Sequence, residues 1–225
     1  HNIPVTPTVM GIGCMTKDNP YYIGAIGCLG EGSSNSLSKD TDLALAIGTK
    51  LGDFTTGSWS NFQNEDFKLV SINTARFDVT KHLATPVICD AKIGLLELSK
   101  ALGDWRAPNN WYERSIDERK KWDSYVEKQS GPTNQELPSY AHAVGAVYRN
   151  ADPSDIVVTA AGGLVGEVVQ IWKPKELNTF ETEWGFSCMG YEISGALGIK
   201  MAKPNQDVIV FVGDGSYLLH NSDIY

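Results

Sequence analysis

The sequence predicts an α/β protein of two doubly wound parallel-sheet units joined by a charged helix, and three observations lead to that fold class. Over residues 1–104 short β-branched runs alternate with glycine-rich or amphipathic stretches, the rhythm of strands and covering helices. After Gly103 the composition shifts, and charges of both signs crowd residues 111–128. Beyond them a second alternation ends in residues 208–212, a nearly continuous apolar run of the kind found in a parallel strand covered on both faces.

Taken in order, the first unit offers strands at 5–9, 43–47, 69–73 and 86–89. A loop rich in Thr, Ser, Gly and Asn occupies 52–66, and a helix occupies 93–102. Residues 105–137 form the connector: at 111–128 only Trp111, Ile116, Trp122, Tyr125 and Val126 are apolar, which predicts a solvent-exposed helix stopped by Gly131-Pro132. The second unit, 138–225, opens at Ser139, a candidate cap for a helix whose Tyr140, Ala143, Val144, Val147 and Tyr148 recur at helical spacing as a core-facing stripe. A strand at 155–159 and a glycine turn at 160–166 follow. A helix at 190–202 then carries Ile193, Ala196, Leu197 and Met201 on one face, and Pro204 stops it before the strand at 208–212.

Composition excludes several classes of partner. With 42% hydrophobic and 20% charged residues the chain has the balance of an ordinary soluble globular protein. A formal net charge of -8 and the lack of a Lys/Arg-rich run argue against nucleic acid and against an anionic membrane surface, since both need clustered positive charge. The expected partner is a small molecule or another copy of the protein. Cys14, Cys28, Cys89 and Cys188 form no C-x-x-C pair, so neither a zinc site nor a disulfide framework is indicated, and a reducing cytoplasm is the expected location. No apolar run approaches the roughly 20 residues that span a bilayer. His1-Asn2-Ile3-Pro4 lacks the basic and apolar regions of a signal peptide, and the chain opens as though in mid-domain.

Chemistry concentrates near the last strand. In open α/β sheets ligands sit beyond the carboxyl ends of strands, where turns and helix starts offer unpaired N–H groups. Gly213-Asp214-Gly215-Ser216 occupies such a position. Asp214 is a hard carboxylate suited to Mg2+, while Gly215 and Ser216 can bring backbone N–H groups close to a diphosphate. A tight turn with a capping aspartate is the alternative reading of this tetrapeptide alone. The residues upstream add weight: Glu183-Trp184-Gly185-Phe186-Ser187-Cys188-Met189-Gly190-Tyr191-Glu192-Ile193 runs into a Gly-Ala-Leu-Gly helix, a proline stop, the Val-rich strand and the G-D-G-S turn.

That order and spacing resemble the diphosphate-binding domain of thiamine-diphosphate enzymes in the acetohydroxyacid synthase and pyruvate oxidase superfamily. The first unit resembles the middle domain of one branch, the cyclic-dione hydrolases of inositol breakdown, through Gly48-Thr49-Lys50-Leu51-Gly52-Asp53-Phe54-Thr55-Thr56-Gly57-Ser58-Trp59, Phe62-Gln63-Asn64 and Val70-Ser71-Ile72-Asn73. The resemblance covers nearly the whole chain and implies two Rossmann-like domains, a middle domain (1–104) and a diphosphate-binding domain (138–225) truncated at its C-terminal side. It implies thiamine diphosphate and Mg2+ as cofactors, with Asp214 the first metal ligand and Gly215 and Ser216 at the diphosphate. The turn Ala161-Gly162-Gly163-Leu164 would lie near the same group. Met189 would pack beneath the cofactor, Ser187 would offer a backbone carbonyl to the aminopyrimidine where relatives often have glycine, and Cys188 would pack alongside.

The implied reaction is hydrolytic C–C cleavage of a six-membered cyclic 1,2-dione to an open-chain deoxy-glucuronic acid, in a homodimer or homotetramer. A carboligase or decarboxylase of the same superfamily and a non-catalytic nucleotide-binding module are the alternatives. The resemblance also places the catalytic glutamate before His1 and the second metal ligand, an asparagine, after Tyr225, so the chain is expected to be an internal piece of a longer polypeptide. His1, His82, His142 and His220 lack metal-ligand spacing. Gly11-Ile12-Gly13 is too short for a dinucleotide fingerprint, and Asn73 stands where an acidic residue would grip a ribose. Gly24, Gly27, Gly30 and Gly32 are read as tight turns, and Cys188 has no neighbouring Lys or His to activate it.

Overall fold

The computed structural model describes residues 1–224 and contains two three-stranded parallel sheets. The first belongs to α1 (Gly32–Ser38), β1 (Leu43–Ile47), α2 (Asp53–Thr56), β2 (Lys68–Asn73), α3 (Arg76–Val79), β3 (Thr85–Ile88) and α4 (Ala91–Leu102), with strand order β1-β2-β3. The Asp90 carboxylate starts α4 by accepting from the N–H groups of Lys92 and Ile93, satisfying donors that have no helical partner. Gly94 lets α4 approach the sheet, because a Cβ there would stand 2.9 Å from both Ile72 Cγ2 and Cys89 Sγ. Strand β3 is an exposed edge, where Pro86 removes no ladder donor.

Residues 5–9 do not form the expected strand. Val5 makes a single bridge to Tyr22 and Val9–Gly11 is a 3-10 turn, because Pro4 and Pro7 remove donors a ladder would need. The loop expected at 52–66 contains α2. The glycine cluster opens α1, held by Ser33 and Ser34, whose hydroxyls donate to the carbonyls of Ile23 and Ala25.

The connector helix α5 (Asn109–Ser130) stands where expected and is mostly exposed or half-buried, but one face is covered. It packs on α1 and on α6 (Tyr140–Asn150), with Ser115 and Ser130 buried. Both contacts need glycine: a Cβ on Gly32 would meet the Trp122 ring at 2.7 Å, and one on Gly145 would meet the Ser130 carbonyl oxygen at 2.3 Å.

The second sheet follows as β4 (Ile156–Thr159), α7 (Leu164–Ile171), β5 (Phe180–Thr182), α8 (Tyr191–Ala202), β6 (Val208–Val210) and α9 (Asp214–His220), with strand order β5-β4-β6. Ser139 caps α6 as expected, in a reciprocal box with His142. The stripe on α6 is rotated from its expected position. Val144 and Gly145 are buried and Tyr148 half-buried, whereas Tyr140, Ala143 and Val147 are exposed. On α8, likewise, Ala196 and Glu192 are buried while Leu197 and Met201 are exposed. Among the described residues strand β6 pairs with β4 alone, and it is half-exposed rather than covered on both faces.

The main core joins Val157, Val165, Val168, Val169, Trp172 and Phe180 of this sheet and helix α7 to Val144 of α6, and also to Val9, Ile12 and Ala25 from the start of the chain. Side chains such as Val9 and Ile12 contribute about 1.5–3 kcal/mol each on burial, so the N-terminal segment is tied to the second sheet. No described helix is long and apolar enough to cross a membrane.

Candidate functional site

The second sheet has a topological switch point. Central β4 is followed by β5 on one side and then β6 on the other, so the turns leaving β4 and β6 diverge and open a crevice between them. Val158 pairs with Val210, which sets the turn carrying Gly162 and Gly163 beside the turn carrying Gly213, Asp214, Gly215 and Ser216. Gly162 has φ +87°, a conformation that disfavours a side chain, and a Cβ on Gly162, Gly163 or Gly213 would meet nothing within 4 Å. Backbone there faces open space that a ligand can enter.

The loop between β5 and α8 borders the same crevice. Glu183 folds it by accepting from the N–H of Phe186 at 2.9 Å and of Cys188 at 2.7 Å. The Cys188 bond is the main reason its carboxyl lies below the usual carboxylate range. Ser187 is left-handed at φ 54°, where glycine is the unstrained residue. Met189 reaches across to the β6 turn: its Cε stands 2.9 Å from where a Cβ on Gly215 would be. Cys188 is exposed, and desolvation together with the Glu183 carboxylate pushes its thiol up, the opposite of an activated thiolate.

Asp214 is exposed at the start of α9, with Oδ1 accepting from the Gly215 N–H at 2.9 Å. Ser216 is buried beneath it. Among the described residues no group of three or more His, Cys, Asp or Glu side chains is placed to hold a metal. A lone hard carboxylate beside open glycine backbone suits Mg2+ held largely by phosphate oxygens and water, so the residues present fit a Mg2+-diphosphate.

The fold therefore brings Met189 against the turn of Asp214, Gly215 and Ser216, and sets the turn of Gly162 and Gly163 after the neighbouring strand, with Ser187 and Cys188 on the loop that leads into Met189. Sequence reading gave no role to two contributors, Glu192 and Glu183, and read a third, His220, as a histidine without metal-ligand spacing. Glu192, fully buried in the first turn of α8, accepts from Ala161 N–H at 3.1 Å and Gly190 N–H at 2.9 Å. Glu183 folds the loop, and the His220 ring packs over Gly190, where a Cβ would come within 2.2 Å of it. The signal for Glu192 was an acidic residue in the first turn of a helix opened by glycine. Elsewhere a depression of about 450 Å³ lies by Ala146, Val147, Asp155 and Ile209, away from these turns. In the first sheet Asn73 is engaged locally, donating to the Thr49 carbonyl and accepting from the Ala75 N–H.

Two family models match the chain. Residues 1–98 match the model of the thiamine pyrophosphate enzyme central domain, and residues 160–224, which contain every candidate site residue, match that of the C-terminal thiamine-pyrophosphate-binding domain. The chain is 34% identical to the 3D-(3,5/4)-trihydroxycyclohexane-1,2-dione hydrolase of Geobacillus thermodenitrificans (strain NG80-2). It is 33% identical to the enzymes of the same name from Bacillus anthracis (strain CDC 684 / NRRL 3495) and Bacillus cereus (strain AH820). In each case the match covers 99% of this chain and 38% of the relative, so the chain spans well under half of their length. The chain belongs to the thiamine pyrophosphate enzymes, and it carries their central domain and their cofactor-binding domain.

Proposed function

We propose that the full-length protein hydrolyses a ring C–C bond of a cyclic 1,2-dione, 3D-(3,5/4)-trihydroxycyclohexane-1,2-dione, to open-chain 5-deoxyglucuronate in inositol breakdown, using thiamine diphosphate and Mg2+. The observation that carries the reading is the switch-point crevice, where Asp214 stands open beside glycine backbone and Met189 spans to Gly215. The names of the relatives supply the substrate class. Bound thiamine diphosphate supplies a nucleophilic carbon and holds the electron pair released when the C–C bond breaks.

The chain's own residues bind and orient. Asp214 would hold Mg2+ through its carboxylate, while the Ser216 N–H, the Gly215 N–H once released from Asp214 Oδ1, and the turn at Gly162 and Gly163 would receive the diphosphate. Met189 would pack under the cofactor rings, Ser187 would offer its carbonyl to the aminopyrimidine, and Cys188 would line the wall. The working protein is a cytoplasmic homodimer or homotetramer.

The deciding experiment is turnover by the full-length protein of the cyclic dione against pyruvate. Dione consumption with thiamine diphosphate and Mg2+ is expected, and turnover of pyruvate alone would replace this reading with a carboligase or decarboxylase. By calorimetry, Asp214→Ala is expected to abolish Mg2+-dependent cofactor binding, because backbone donors cannot replace a metal between two anions. Unchanged affinity would remove Asp214 from the site.

A further inference from the structure

We propose that Glu192 is a positioning residue for the cofactor crevice: its carboxylate fills the α8 N-terminus as a built-in anion and ties the turn after β4 to the turn after Met189. The inference rests on the thiamine-diphosphate reading and deepens it. It starts from a buried charge-bearing group that the binding roles above leave unused. Glu192 is 0% exposed, and no Lys, Arg or His lies in ion-pair distance of it among the described residues. Its hydrogen bonds are to two backbone N–H groups, Ala161 to Oε1 and Gly190 to Oε2. A buried carboxylate without a cation needs such donors and a favourable field. The 12-residue helix α8 supplies the field, since its N-terminus carries partial positive charge.

The position of the two donors gives the tie its meaning. Ala161 precedes Gly162 and Gly163, and Gly190 follows Met189, so one side chain spans two of the three turns that border the crevice. Those N–H groups and the start of α8 would otherwise form an anion site of their own. With the carboxylate in place the α8 terminus is already neutralised, and an incoming diphosphate is left to the Gly215 and Ser216 turn, where Asp214 can share its metal. Glutamine cannot substitute, because its NH2 would face one of the two N–H donors. Alanine leaves both donors empty.

The test uses the full-length protein. In the cofactor-free wild type, hydrogen exchange at Ala161 and Gly190 is expected to be slow. Glu192→Gln is expected to weaken thiamine diphosphate and Mg2+ binding about tenfold, or ~1.4 kcal/mol, and Glu192→Ala further. Formate should restore affinity in Glu192→Ala, where formamide, of similar size but uncharged, should not. Wild-type-like affinity in both variants, or equal rescue by formamide, would overturn the proposal. So would exchange at unprotected rates in the wild type, a result that decides the matter even if the variants fail to fold. If the wild type itself binds no thiamine diphosphate, the parent reading fails and the positioning role falls with it, while slow exchange would still show that Glu192 ties the turns.

Discussion

At Ser187 a single dihedral angle links sequence to site. Its φ of 54° places a side chain where only glycine is unstrained, at a cost of roughly 1–2 kcal/mol. The proposed contact is the backbone carbonyl, so the side chain can be removed without removing the group that acts. Ser187→Gly is therefore expected to raise the unfolding free energy by up to about 1 kcal/mol and to leave cofactor affinity intact; Ser187→Val, β-branched in the same conformation, should lower both. Denaturant unfolding and calorimetry on the two variants check this, and a destabilised glycine variant would mean the hydroxyl matters. The same locality explains what the sequence made legible. The Asp214 turn and the Met189 turn are contiguous stretches, so the first could be read from its residues as a metal-diphosphate turn and the second could be matched to a family motif. Glu192 could not be read that way, because its partner Ala161 lies 31 residues upstream and only the register of the β4 turn against α8 brings them together.

Among the elements, the loop between β5 and α8 is held from both sides by carboxylates, and Glu183 makes its hold depend on pH. Its folded carboxyl lies below the usual value, chiefly through the Cys188 N–H bond. For an acid with a depressed folded pKa, the stabilisation is complete above the unfolded value and is lost as pH falls through the folded one. Cofactor affinity is therefore expected to fall on acidification below the ordinary carboxylate range. Glu183→Gln should bind more weakly at neutral pH and show a flatter acid limb; a limb as steep as the wild type's would assign the loss to another group. Elements were legible where local pattern and tertiary demand coincide, as at 43–47, where β1 matches the expected strand, and at the Ser139 cap. Three-residue β5 is too short to carry a period, and α1 begins in glycines that read as turns. The stripe on α6 went astray because Gly145, invisible to a hydrophobic pattern, marks the face that packs against Ser130.

Over the whole molecule, a partly buried ionic chain joins the start of the chain, the connector helix and the segment after α7. Glu31 is fully buried, its Oε1 accepting from the Ala25 N–H at 3.2 Å. Lys173, just past α7, lies 3.3 Å from Glu31 Oε2 and also pairs with Asp123 of α5. Arg119 binds Asp123 at 2.8 Å and donates to the Tyr22 carbonyl at 2.7 Å. Burial raises the Glu31 carboxyl despite the opposing pull of Lys173 and Arg119. With the folded pKa raised, Glu31's contribution to stability is greatest at low pH and declines as pH rises through the folded value. Deleting one partner should cost far more than neutralising the pair, because the survivor is left buried with its charge. Lys173→Ala is expected to lose about 3 kcal/mol at neutral pH, of the order seen when a buried pair is broken, and less in acid, where Glu31 is protonated. Adding Glu31→Gln to that variant should recover much of the neutral-pH loss. A double-mutant cycle by denaturant unfolding reads the coupling directly. Strictly additive losses, equal at both pH values, would mean that packing by Val9, Ile12 and Ala25 alone fastens the N-terminal segment to the second sheet.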